Sequence, residues 1–183
     1  MTTTESIEHI EFAMVRPHLR DIPAATLPAG YNIRLFRHGD EEAWRRIEIA
    51  VGEFSSDDRA HAQFEREFGA HLDEMTTRCF FLETAEGETV GTTTAWMGEF
   101  QGDVIGRIHW VAIVPEHQGR GLSKPLLSTA LDRLAQEHDR AYLTTQTTSY
   151  RAAGLYASYG FEPVIETEAH LRAWALVQSL LAR

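Results

Sequence analysis

Apolar and polar positions follow two periods along the first half of the chain, and these periods predict strands and helices. Apolar and polar side chains alternate over residues 31–37, as they do in a strand. Asp40 precedes a helix whose apolar side chains lie on one face. A second helix is predicted over 57–68. Three further strands, joined by short polar connectors typical of an antiparallel meander, are predicted over 78–84, 89–97 and 106–114.

The second half combines helical and strand patterns. Leucines and alanines recur at helical spacing over 122–134, a strand follows over 141–145, and a helix then extends to about Ser158. An apolar segment over 161–164 is the next strand candidate, and residues 168–181 form a final helix. This order predicts an α/β or α+β fold with a mixed sheet and helices on both faces.

The first 30 residues contain three prolines and only scattered apolar positions. We interpret residues 1–30 as an extension that wraps the domain and contains one short helix. The folded domain is predicted to occupy residues 31–183, a size that allows one sizeable core.

Charge and composition narrow the class of protein. The 183 residues include 27 acidic and 17 basic side chains, for a net charge of -10, which disfavours nucleic acid and favours a cationic partner. Cys79 is the single cysteine, so it forms no intramolecular disulfide and is expected to be a small buried hydrophobe. No apolar run is long enough for a membrane span, and the polar start, residues 1–5, is unlike a signal peptide, so we expect a cytoplasmic protein without a membrane partner.

The most informative segment is a glycine-rich turn between the strand that ends at Pro115 and the helix that follows. Its sequence, residues 118–123, is Gln-Gly-Arg-Gly-Leu-Ser. Glycines in such a turn let several backbone N–H groups point at one spot, where the helix start also favours an anion. The spacing fits neither the dinucleotide-binding nor the NTPase phosphate loop. The turn therefore predicts a seat for a phosphate group of another kind.

A second motif, residues 149–161, gives the turn a specific meaning. Together the two segments resemble the GNAT family of N-acetyltransferases, whose motifs are written Q/R-x-x-G-x-G/A and N-x-x-A-x-x-L-Y-x-x-x-G-F. The resemblance covers about residues 31–165. Ser123 stands where the family has glycine or alanine, and Ser149 stands where it often has asparagine. A GNAT domain commonly closes with a strand, whereas this chain is predicted to close with a helix.

The resemblance implies a mixed, mostly antiparallel sheet and acetyl-CoA as co-substrate. Backbone amides of the turn would hold the pyrophosphate, and the strand before it would pair with the pantetheine arm and polarise the thioester carbonyl. The implied cofactor-binding residues are Val111, Ala112, Ile113, Gln118, Gly119, Arg120, Gly121, Leu122, Ser123 and Ser149.

Two side chains are candidates for the chemistry. Tyr156 matches the family tyrosine that protonates the leaving thiolate, although it also fits as a core aromatic. His109 occupies the strand position where many relatives carry a glutamate, and we interpret it as the base, with packing beside Trp110 as the alternative. Strand alternation predicts that these two neighbours face opposite sides. Glu53 and Glu99 are reserve bases, and the dispersed histidines predict no metal site.

These observations predict an acetyl-CoA-dependent N-acetyltransferase that transfers acetyl directly to a primary amine. A non-catalytic acyl-CoA sensor and an interaction domain with a purely structural turn are the alternatives. The acceptor is left open among small amines, amino acids, aminoglycosides and protein N-termini, with the acidic balance favouring a cation. The segments that flank residues 31–165 are candidates for acceptor selection or for contacts in a homodimer.

Overall fold

The computed structural model describes residues 7–182; Arg183 and residues 1–6, which include the polar start, lie outside the described residues. The strands within this range are β1 (Glu11–Arg16), β2 (Tyr31–Leu35), β3 (Cys79–Thr84), β4 (Thr89–Phe100), β5 (Asp103–Ile113), β6 (Ala141–Gln146) and β7 (Glu162–Pro163). The α-helices are α1 (Glu41–Ala50), α2 (Asp57–Phe68), α3 (Leu72–Arg78), α4 (Ser123–Leu134), α5 (Tyr150–Ser158) and α6 (Glu168–Leu181).

The seven strands form one sheet in the order β2-β3-β4-β5-β6-β1-β7. All neighbours are antiparallel except β5 and β6, whose parallel pairing needs the crossover that α4 supplies. Helices α1 and α2 pack against each other and α1 lies on β4 and β5, while α4 packs on β3, β4 and β5. The mixed sheet with its helices confirms the predicted fold class, and α6 confirms the predicted C-terminal helix.

The first 30 residues differ from the prediction, because they contain a strand of the sheet and no helix in their described part. β1 lies between β6 and β7 and is antiparallel to both. Phe12, Met14 and Arg16 are buried in alternation with more accessible neighbours. The pattern was missed because Ala13 and Val15, on the less buried face, are apolar as well. β6 and β7 consequently run in the same direction with β1 between them.

A β-bulge in β5 shapes the centre of the sheet. Thr92 pairs with Ala112 and Thr94 pairs with His109, so Thr93 alone faces two residues of β5. One of these two, Trp110, has a φ of 50°, a left-handed conformation that side chains other than glycine rarely adopt. Its ring lies 5.3 Å from that of Trp44 on α1 and 5.5 Å from that of Phe54, and this aromatic packing offsets the backbone strain.

The parallel pairing of β5 with β6 is short. It joins Gly106 to Ala141 and Arg107 to Tyr142, and the two strands separate beyond that point. The bulge lies just past the last pair, where it bends β5. The sheet is therefore open between Val111–Ile113 and β6, and the main-chain groups on that edge of β5 are available to a ligand.

We expect Met14→Ala to lower the free energy of unfolding by about 2–5 kcal/mol, because it leaves a cavity inside the sheet's core. The fully buried Met14 is matched by its half-buried neighbour Val15 on the same strand. Val15→Ala should cost about 1 kcal/mol. Denaturant unfolding measures both; equal, small losses would mean that β1 contributes little to the folded domain.

Candidate active site

Two cavities lie where β5 and β6 separate. The larger, of about 600 Å³, extends along the glycine-rich turn. The smaller, of about 350 Å³, lies between residues 107–111 of β5 and residues 143–146 of β6. Residues that line both cavities are Glu53, Val111, Ser149, Ala152 and Tyr156. The cavities thus meet beside Val111 and Tyr156.

The glycine-rich turn has the backbone of an anion-binding site. Gly119 and Gly121 have φ values of 73° and 77°, so both positions need the conformational freedom of glycine. The N–H groups of residues 119–124 donate no hydrogen bond to any other described residue. Pro125, in the first turn of α4, has no N–H to leave unpaired. A cluster of free donors at the start of α4 therefore borders the larger cavity.

Most of the predicted cofactor-binding residues line this larger cavity: Val111, Ala112, Ile113, Gln118, Gly119, Gly121, Leu122, Ser123 and Ser149. Gln118 fixes the turn to the strand end, since its Nε2 donates to the carbonyl of Ile113 at 2.8 Å. Arg120 is the exception. Its guanidinium turns back to donate to the carbonyl of Glu116 at 2.8 Å and to the hydroxyl of Tyr31 at 3.1 Å, so only its backbone belongs to the turn.

Tyr156 lies on α5 at the junction of the two cavities and is 7% exposed. Burial raises the pKa of its phenol well above the ordinary value, and the nearby carboxyl groups of Glu48 and Glu53 raise it further. The phenol is therefore protonated at every pH at which the protein would work. It has a proton to donate.

His109 lines the smaller cavity and is held by a carboxylate on α2. Its Nε2 lies 2.5 Å from Oε2 of Glu67, and Nε1 of Trp110 donates to the same oxygen at 2.9 Å. The prediction that these two neighbours face opposite sides is wrong, because the bulge breaks the alternation of β5 and brings both to one carboxylate.

The ionisation of this pair favours a neutral imidazole. Burial lowers the pKa of His109 and Arg107 adds to the effect, against the opposing influence of Glu67. Burial works against ionisation of Glu67 too, but the hydrogen bonds from His109 and Trp110 outweigh it and lower the pKa of Glu67. With Glu67 ionised and His109 neutral, Nε2 carries the proton that it donates to Glu67, and Nδ1 retains a lone pair.

The smaller cavity is strongly acidic. Its carboxyl groups come from Glu11, Glu48, Glu53 and Glu67, and Arg107 is the only arginine or lysine among the described residues that line it. Of the reserve bases, Glu53 borders both cavities, whereas Glu99 is exposed and borders neither. Among residues 7–182 no group of three or more histidine, cysteine, aspartate or glutamate side chains is arranged to hold a metal ion.

Two carboxyl groups of the cavity escaped the sequence analysis. Glu48 lies four residues after Trp44, on the apolar stripe of α1, and a carboxylate on such a stripe is the signal that was available. Glu67 stands three residues after the buried Phe64 on α2 and one before the buried Phe68, so it too lies beside an apolar stripe. Its partners come from β5, so only the fold brings them together.

No helix in the described part of the chain is long and apolar enough to cross a membrane.

Several curated relatives of the chain are mycothiol acetyltransferases. The chain is 30% identical over 149 residues to a mycothiol acetyltransferase of Streptomyces bingchenggensis, covering 79% of this chain and 47% of the relative. It is also 30% identical over 162 residues to the mycothiol acetyltransferase of Thermobispora bispora, covering 81% of this chain and 52% of that protein. The chain thus spans about half the length of these curated relatives.

A solved structure and a family model also match the chain. A GCN5-related N-acetyltransferase from Sphaerobacter thermophilus matches with a TM-score of 0.63 at 20% identity, over 86% of this chain and 49% of that one. The model of the acetyltransferase (GNAT) family matches residues 36–161, a range that contains the glycine-rich turn, His109 and Tyr156. The chain belongs to the GNAT family of acetyltransferases.

Proposed function

We propose that the protein is an acetyl-CoA-dependent N-acetyltransferase that moves an acetyl group directly to a primary amine. The observation that carries the proposal is the junction of the two cavities: Tyr156 borders both, and His109 borders the smaller one. A module that only binds acyl-CoA has no need of an acid and a base beside the same opening. The names of the two curated relatives, each an acetyltransferase, support the same class of reaction.

The larger cavity suits acetyl-CoA. Free N–H groups between Gly119 and Lys124 fit the pyrophosphate, and the open edge of Val111–Ile113 fits an extended arm with amide groups. Ser123, in place of a glycine or alanine, lines the cavity and adds a hydroxyl donor. Ser149 lies on the opposite wall, where it can make one hydrogen bond. When bound, acetyl-CoA supplies the thioester, whose carbonyl carbon is the electrophile.

The chain's own groups handle the protons. Nδ1 of His109 takes one proton from the ammonium, directly or through water, so that the amine nitrogen has a lone pair for the new N–C bond. As the C–S bond breaks, the hydroxyl of Tyr156 donates its proton to the thiolate, and the second proton that the nitrogen loses on becoming an amide returns to the Tyr156 oxygen, directly or through water. The hydroxyl of Tyr156 is protonated before the reaction because its pKa is raised. Glu67 acts through His109, as a positioning residue.

The acidic smaller cavity supports the earlier expectation of a cationic acceptor. Cytoplasmic location, a homodimer, and the division into residues 1–30 and 31–183 stay predictions.

The proposed function is tested by thiol release from acetyl-CoA over a broad panel of primary amines. With an amine that reacts, Tyr156→Phe should lower kcat about 100-fold or more, since the leaving thiolate loses its proton donor, while CoA affinity changes little. Tyr159→Phe is the matched control, because its hydroxyl bonds Ser128 and the carbonyl of Lys124 and lies outside both cavities. No thiol release with any amine would refute the proposal, and an unchanged kcat in Tyr156→Phe would refute the role of Tyr156.

His109→Gln should lower kcat/KM about 100-fold or more. Glu67→Gln should keep much of the activity but move the acidic limb of the pH profile to lower pH, because the Glu67 carboxylate raises the pKa of His109 and burial continues to lower it. Initial rates measured across the pH range test both variants. If the acidic limb stayed in place in both, His109 would not be the base.

A further inference from the structure

The carboxyl group of Glu48 has no hydrogen-bond partner among the described residues. It lies in the last turn of α1, lines the smaller cavity and is 1% exposed. Its Oε1 is fully buried, and no other described residue donates a hydrogen bond to it. A buried carboxyl oxygen without a donor is costly, so this position calls for an explanation.

The charges that act on Glu48 disfavour its ionised form. The end of a helix is negative, no basic residue occupies the last turn of α1, and Glu53 adds a second negative charge. Arg107 lines the same cavity, but it acts on Glu67 and His109, and its guanidinium lies 5.7 Å from the centre of the Tyr142 ring. Glu48 therefore lies in an acidic setting, and no cation among residues 7–182 acts on it.

We propose that Glu48 is the acceptor-binding residue: it accepts a hydrogen bond from the ammonium of a primary amine that carries no carboxylate beside its nitrogen. This inference rests on the proposed acetyltransferase function. The cavity that Glu48 lines is also lined by Tyr156, which places a bound ammonium near the end of the cofactor groove. Glu11, Glu53 and Glu67 add negative charge that repels a carboxylate of the ligand.

The geometry favours an organic cation over a metal ion. Among residues 7–182 the acidic side chains do not converge in threes as metal ligands do. An ammonium has three N–H donors, so one carboxylate oxygen together with neutral acceptors on the cavity wall can bind it.

Binding of the ammonium competes with a proton for the same carboxyl group. Burial, and then Glu53, raise the pKa of Glu48 to about 8, so a cation must displace a proton at lower pH. An alkylammonium keeps its own proton to about pH 10. Affinity for the amine should therefore rise as the pH approaches 8. The titratable and charged groups that face Glu48 or line its cavity are Glu11, Glu53, Glu67, Cys79, Arg107, His109 and Tyr156.

The experiment uses ligand pairs that differ by one carboxylate beside the nitrogen: 2-phenylethylamine and phenylalanine, and tyramine and tyrosine. Binding of each is measured by calorimetry with CoA present, and turnover by thiol release from acetyl-CoA. The variant is Glu48→Gln, which keeps the shape and removes the charge. Its matched control is Glu42→Gln, the same change on the exposed side of the same helix.

In the wild type and in Glu42→Gln, we expect at least one amine to bind about tenfold or more tightly than its amino acid partner, with affinity rising toward pH 8. Glu48→Gln should lose that preference and its pH dependence, chiefly as a raised Kd and KM. Amine binding that depends on Glu48, with no thiol release from any amine of the broad panel, would refute the proposed function and leave Glu48 as a site for an ammonium. Turnover with unchanged KM in Glu48→Gln, or no binding of either amine, would overturn the inference.

Thermal unfolding separates a binding role from a structural one. The folded state keeps the Glu48 proton up to about pH 8, whereas the unfolded chain loses it above its ordinary pKa of 4.5, so this group lowers stability as pH rises through that window. Glu48→Gln should therefore melt at a higher temperature than the wild type at pH 8 and at a similar temperature at pH 4.5. A variant that melts lower at pH 8 would show that Glu48 stabilises the fold, against the inference.

Discussion

The bulge at Trp110 is the constraint on which the rest of the site depends. Thr93 alone faces two residues there, and the left-handed backbone of Trp110 reverses the facing of the strand at that point. As a result His109 and Trp110 both reach Glu67, while Val111 to Ile113 continue along the opened edge of the sheet. Such a conformation costs about 1–3 kcal/mol in a residue other than glycine. The aromatic packing of Trp110 on Trp44 and Phe54 holds it in place.

Tryptophan is well suited to this position, although a glycine would adopt the backbone more easily. The indole fills the space between α1 and β5, and its N–H satisfies a carboxylate that must also hold His109. The bulge is therefore maintained by tertiary contacts and not by local preference. The same contacts connect helix packing to chemistry, because a shift of α2 would move Glu67 and with it the proton on Nε2 of His109.

This dependence explains what the sequence predicted and what it did not. The glycine-rich turn is a local feature. Gly119 and Gly121 have a left-handed backbone that glycine adopts readily, so the residue types themselves indicated a tight turn. The meander β3 to β5 and the helices other than the short α3, which was not predicted, followed from periodicity for the same reason. The facing of His109 and Trp110 was predicted wrongly, since nothing in their local sequence marks a bulge. The contact of Glu67 with His109 and Trp110 was missed because these partners lie 42 and 43 positions away in the sequence.

The strand β1 shows that the site also depends on a segment outside the family resemblance. Ile10 and Thr147 exchange hydrogen bonds: the N–H of Ile10 donates to Oγ1 of Thr147 at 3.0 Å, and the N–H of Thr147 donates to the carbonyl of Ile10 at 3.0 Å. Thr147 is fully buried and stands between β6 and α5, the helix that carries Tyr156.

β1 thus fixes the point from which α5 starts, and Glu11 on the same strand lines the smaller cavity. The two ends of the opening are set by different parts of the chain: the bulge orients the base on β5, and β1 anchors the helix of the acid. Because neither anchor lies in the two motifs, the motifs specify where the cofactor groove is, and the tertiary contacts determine whether the acid and base stand on the same opening.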